Sequence, residues 1–148
     1  MNSKDRYDSL FQCYGEKYGV SWRLLKAQAL AESGLDPDAR SRVGALGLTQ
    51  FMPATFNELA ERQGWKKDGR LLDARDPEDA IMAQAAYMGW LLKECRDMSL
   101  ALAAYNWGIG RVKRTFLDPG KPYDEALVPD ETKGYVKKIA ATLREMTT

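Results

Sequence analysis

The stretch from Ser21 to Pro37 most constrains what this chain can fold into. Ser21 can cap a helix. The run Trp22-Arg-Leu-Leu-Lys-Ala-Gln-Ala-Leu-Ala-Glu32 carries apolar residues at helical spacing, Gly34 supplies a stop, and Pro37 follows. The same pattern recurs along the chain. Leu10, Phe11, Tyr14 and Tyr18 mark a helix over residues 5–18, closed by Gly19, and Pro53 opens another over 53–63. Asp76-Pro77-Glu78 starts a longer helix with Ile81, Ala85, Met88, Leu91 and Leu92 facing inward, to about Cys95. Ser99 is the expected cap of a short helix over 99–106, and another short helix follows over 108–116. The last runs from about Glu131 to Glu145, with Val136, Ile139, Ala140 and Leu143 on one face. Residues 34–52, 64–76 and 117–130 read as loops; the first admits a short β-hairpin, because Gly44 and Gly47 flank Ala45-Leu46. No internal repeat or interdomain linker interrupts the 148 residues. The expectation is one mainly α domain over residues 1–148.

Composition removes whole classes of chemistry. His is absent, which excludes His triads, His metal sites and His proton shuttles. Net charge is +1 without a long basic run, so no nucleic-acid partner is expected. Cys13 and Cys95 lack metal-ligand spacing. They are open to one disulfide or two buried thiols, and the small apolar character of Cys favours the thiols. No Asp/Glu cluster has calcium-loop spacing, so neither a metal nor another cofactor is expected. The N-terminus has no apolar h-region, and no segment approaches membrane-spanning length.

Against this background Glu32 stands at the wrong end of its helix. A helix C-terminus carries partial negative charge and favours cations, and apolar neighbours disfavour a carboxylate further. Both effects raise a carboxyl pKa toward the range of a general acid. The bland alternative is an exposed, tolerated Glu.

The residues after Glu32 decide between these. Glu32-Ser33 leads into Gly44-Ala-Leu-Gly-Leu-Thr-Gln50-Phe-Met-Pro53; Ala104-Tyr-Asn-Trp-Gly108 and Glu131-Thr-Lys-Gly-Tyr-Val136 follow. These four motifs, in this order over roughly residues 21–140, resemble the soluble lytic transglycosylase (SLT) family, whose catalytic domain is goose-type-lysozyme-like. The resemblance implies a lysozyme-like fold and non-hydrolytic cleavage of the MurNAc-β-1,4-GlcNAc bond of peptidoglycan, with formation of 1,6-anhydro-MurNAc. It implies that Glu32 acts first as acid and then as base. Ser41, Gln50, Met52, Tyr105, Asn106 and Tyr135 are the implied substrate-side residues. Asn106 is expected to order the active-site loops rather than touch sugar, and core filling competes for Met52. Glu131 has a capping alternative. Asp36 and Asp38, the other carboxylates close to Glu32 in sequence, read as turn residues beside Pro37. Thr49 departs from the Met common in the family's Gly-Leu-Met-Gln.

Two rivals remain on this fold: a hydrolysing muramidase, which needs a second carboxylate, and a non-catalytic glycan-binding module, which has no use for a proton donor. Glycan strands of peptidoglycan are the expected partner, and the protein is expected to be a monomer. The absence of an export signal suggests a phage or mobile-element enzyme, carried in a virion or released at lysis, or a trimmed exported protein.

Overall fold

The computed structural model describes residues 3–67 and 69–146. They fall into two compact units, Met1–Tyr87 and Met88–Thr148, with the division inside one helix. Helix dominates both, and the expected mainly α class holds.

The first unit contains α1 (Asp8–Tyr18), α2 (Trp22–Ser33), α3 (Pro53–Gln63) and the start of α4 (Pro77–Cys95). Local chemistry sets the bounds of α2. Ser21 Oγ accepts from Leu24 N at 3.4 Å, and Gly34, at φ 66°, donates its N–H to Leu30 O at 2.9 Å. Helix α1 packs on α2. Phe11, Leu25, Leu48, Phe56 and Ile81 are fully buried. Each such side chain contributes about 1.5–3 kcal/mol by leaving water. The rings of Phe51 and Phe56 meet edge-on at 5.6 Å. Tyr14 OH donates to Glu78 Oε2 at 2.8 Å and ties α1 to the first turn of α4. The buried Lys26 pairs with Asp5 at 3.0 Å and Asp8 at 2.8 Å.

The strand pair lies outside the segment expected to hold it. β1 (Lys66–Lys67) and β2 (Arg70–Leu71) pair antiparallel, in the register Lys66↔Leu71 and Lys67↔Arg70. The Asp68-Gly69 dipeptide is the sequence signal for such a hairpin. Segment 34–52 instead forms two isolated antiparallel bridges, Arg40↔Leu46 and Leu46↔Phe51. Leu46 serves both, so the segment folds back on itself as successive turns rather than as a ladder.

The second unit holds the end of α4, α5 (Met98–Trp107), α6 (Ile109–Val112) and α7 (Asp130–Met146). A π-helical turn, Lys113–Leu117, follows α6, so the single helix expected over 108–116 is two shorter pieces. Asp97, not Ser99, caps α5: its carboxylate accepts from Leu100 N at 2.8 Å. The carboxylate also complements the positive helix end, which a neutral serine at the second helical position does not do. Helix α5 buries Leu100 to Ala104 and packs against α6 and α7. Val136 and Ile139 of α7 are buried as expected, joined by Thr132 and Tyr135; Ala140 and Leu143 are only half-buried. The apolar stripe therefore drifts off the core in the last turns.

Both cysteines are free thiols, but only Cys95 is buried; Cys13 is exposed on α1. Phe11, not Cys13, supplies the buried face there. No described helix is long and apolar enough to cross a membrane.

Candidate active site

Glu32 lies in the last turn of α2, half-buried, and that turn holds no basic residue. The next residue fastens the helix end to the motif loop. Ser33 Oγ donates to Leu48 O at 2.7 Å, lies 3.3 Å from Ala29 O, and accepts from Asp36 N at 3.2 Å. Glu32-Ser33 and Gly44–Gln50 are thus joined directly.

The loop holds its shape through its own polar groups. Ser41 N donates to Ala45 O at 3.0 Å, and Ser41 Oγ accepts from Ala45 N at 2.9 Å, closing a tight turn. Gln50 stands in the left-handed region at φ 52°, which costs a non-glycine residue about 1–2 kcal/mol. Its amide offsets this by donating from Nε2 to Gly47 O at 2.8 Å and Ala39 O at 3.2 Å. The Gln50 amide oxygen is the end left to accept. Strain held by surrounding bonds in this way is typical of functional loops. Gly47, at φ 79°, passes so close to residue 74 that an added Cβ would stand 2.1 Å from Ala74 O. Thr49 is fully buried, and its hydroxyl donates to Ala80 O at 3.4 Å. Its difference from the family's usual Met is therefore met inside the fold. Met52 is 42% exposed, which removes core filling as its role. Asp36 and Asp38 are exposed, and Asp36 Oδ1 accepts from Asp38 N at 2.9 Å, so they form the expected turn.

In the second unit the two later motifs are also joined. Thr132 Oγ1 donates to Asn106 Oδ1 at 2.8 Å, which ties the end of α5 to the start of α7. Asn106 thus holds α5 to α7 through its side chain. Tyr105, beside it, is half-buried, and Tyr135, one turn after Thr132, is 9% exposed. Glu131 is exposed in the first turn of α7, where a carboxylate favours the helix. Among the described residues no group of three or more Cys, Asp or Glu is placed to hold a metal.

The family model for the transglycosylase SLT domain matches residues 9–128. The chain belongs to this family. The match takes in Glu32, Ser41, Gln50, Met52, Tyr105 and Asn106 and ends before α7. The chain is 36% identical over 139 residues to the peptidoglycan transglycosylase gp16 of Escherichia phage T7, covering 93% of this chain and 10% of that protein. It is 33% identical over 145 residues to the soluble lytic murein transglycosylase of Escherichia coli K12, covering 91% of this chain and 22% of that one. Among solved structures, an inactive mutant of the lytic transglycosylase Slt from Pseudomonas aeruginosa superposes with a TM-score of 0.81 at 26% identity, over 94% of this chain and 23% of that one. The 70 kDa soluble lytic transglycosylase of Escherichia coli gives 0.80 at 27%, over 97% and 25%. The chain thus spans between a tenth and a quarter of the length of these relatives.

Ser33 and Thr132 are the residues of the SLT motifs whose work sequence reasoning passed over. Each stands beside a more conspicuous residue, and a hydroxyl that bonds across the fold leaves no periodic signal in the chain.

Proposed function

We propose that this SLT-family protein is a peptidoglycan lytic transglycosylase that acts as one catalytic domain, with Glu32 as its acid and base. The observation that carries the reading is the placement of Glu32. It is a half-buried carboxyl group at a helix C-terminus whose last turn holds no basic residue, fastened through Ser33 to the Gly-Leu-Thr-Gln loop. The peptidoglycan and murein transglycosylases among its phage and bacterial relatives support it.

Glu32 protonates the glycosidic oxygen as the C1–O bond breaks, and the N-acetyl group of the muramic acid stabilises the charge at C1. The C6 hydroxyl oxygen of the same sugar then bonds to C1, and its proton passes to the Glu32 carboxylate. The acid is restored and a 1,6-anhydro ring is closed. Most glycosidases need a second carboxylate. Here Asp36 and Asp38 are exposed, with Asp36 engaged by its own turn, and the tethered hydroxyl replaces water. Such tethering reaches about 7–11 kcal/mol in favourable cases. The Gln50 amide oxygen would accept from the sugar, with Ser41, Met52, Tyr105 and Tyr135 along the glycan strand. The protein would work as a monomer on the cell wall, delivered in a virion or released at lysis, a placement that the phage relative supports.

Two measurements test this. Glu32→Gln should fold normally and lose cleavage by at least about 10²–10⁴-fold, the usual worth of a general acid. Mass spectrometry of digested peptidoglycan should show products one water lighter than hydrolysed muropeptides and inert to borohydride. Mainly reducing products would make the enzyme a muramidase.

A further inference from the structure

Two buried glutamines lie behind the proposed acid. Gln28 of α2 and Gln84 of α4 are both fully buried, in the first unit. Gln84 Nε2 donates to Leu25 O at 3.0 Å and to Gln28 Oε1 at 2.8 Å. Burying two amides is costly unless their polar atoms are used. Gln84 Oε1 has no protein partner, so the pair is held through its nitrogen end alone.

The direction of these bonds is forced. Leu25 O only accepts, so the Nε2 end of Gln84 must face it. Both N–H groups of that end are then spent, on Leu25 O and on Gln28 Oε1. With its oxygen held by Gln84, the Gln28 amide turns its own Nε2 the other way. One helical turn further along α2 stands Glu32. Side chains of a helix lean toward its N-terminus, so residue 32 covers the turn that carries residue 28.

We propose that Gln84 and Gln28 form an orientation relay, in which the Gln28 amide donates to one carboxyl oxygen of Glu32 and leaves the other to carry the catalytic proton. The relay rests on the reading of Glu32 as the acid. Gln28 and Gln84 are positioning residues; neither touches the sugar. Charged side chains on the two helices near the relay are engaged elsewhere: Lys26 with Asp5 and Asp8, Glu78 with Tyr14, and Asp79 with Asp73 N at 3.0 Å. Ala80, Ile81 and Ala85 of the same helix as Gln84 are buried as well. Tyr105 and Tyr135, titratable groups that the proposed function gives to the glycan, stay unchanged in every variant below.

The test is a carbon-13 NMR titration of the Glu32 carboxyl group, run beside pH profiles of kcat and KM for Gln28→Met, Gln84→Met and the double variant. Removing a donor from a carboxylate raises its pKa, so the alkaline limb of the Gln28→Met profile and the NMR midpoint should both move upward. Its kcat should fall about 10–100-fold, the usual cost of losing a supporting partner, with KM nearly unchanged. Gln84→Met should shift both in the same direction by less, and add nothing on the Gln28→Met background. Gln28→Glu keeps an acceptor for Gln84 and decides the matter if the Met variants do not fold; its midpoint should rise furthest. An unmoved midpoint in the folded Gln28 variants, or an equal Gln84→Met shift with and without the Gln28 amide, overturns the relay. If the parent protein yields no anhydro product while the midpoint still moves, the relay stands and the proposed function falls.

Discussion

Gly47→Ala should be among the most damaging single-atom additions in the motif loop. Two costs combine. At φ 79° a side chain is strained by about 1–2 kcal/mol. The new Cβ would stand 2.1 Å from Ala74 O, below the 3.0 Å floor of real contacts, so two backbone segments must part by about 1 Å. Overpacking of this kind adds about 1–3 kcal/mol. The three bonds anchored at residue 47 run to Ala39 O, Gln50 N and Gln50 Nε2, and they would be disturbed together. The total is about 2–5 kcal/mol, or a fall in Tm on the order of 5–15 °C at this size. Gly44→Ala is the control: φ is 93°, but nothing lies within 4 Å, so only the backbone cost of about 1–2 kcal/mol applies. Urea and thermal unfolding followed by tryptophan fluorescence measure both variants. Equal losses at the two positions would refute the reasoning, because the close approach at Ala74 would then contribute nothing.

Ser33→Ala removes the bond to Leu48 O and the acceptor for Asp36 N, and should cost about 1–3 kcal/mol in urea unfolding. Its kcat should fall more than that loss of folded protein explains, since the Glu32 turn is freed from the loop. Thr132→Val should cost about 1–2 kcal/mol by the same measurement, through the lost bond to Asn106 Oδ1, and lower activity without changing the product. Cys13 should react with a maleimide in the folded protein, whereas Cys95 should react only on unfolding; labelling followed by peptide mass mapping reads this. Burial, with Glu94 and Asp97 adding to it, pushes the Cys95 thiol from 9.0 up to about 11. The folded pKa exceeds the unfolded one, so this group's stabilisation is complete below pH 9.0 and is lost as pH rises toward about 11. Urea midpoints of Cys95→Ala should therefore fall less steeply than the parent's over that window.

The helices were legible in the chain because their determinants are local. Ser21, Gly34 and Pro53 act within a turn of their own positions, and those bounds hold to within a residue. Two of the misjudged details in local structure came from competing local signals. Asp97 outbid Ser99 as a cap, and Lys66–Lys67 paired with Arg70–Leu71 where a loop was expected. Glu32 stands out as a candidate because it breaks an electrostatic rule in its own helix, and the four ordered motifs named the family. Tertiary structure alone decided which side chains hold those motifs in place. The Ser33 hydroxyl reaches Leu48, Thr132 reaches Asn106, and Gln84 reaches Gln28 across 56 residues of sequence. Hydrogen bonds act over about 3 Å of space, whatever the separation along the chain, and a polar side chain shows in sequence only that it needs a partner. It does not show which one.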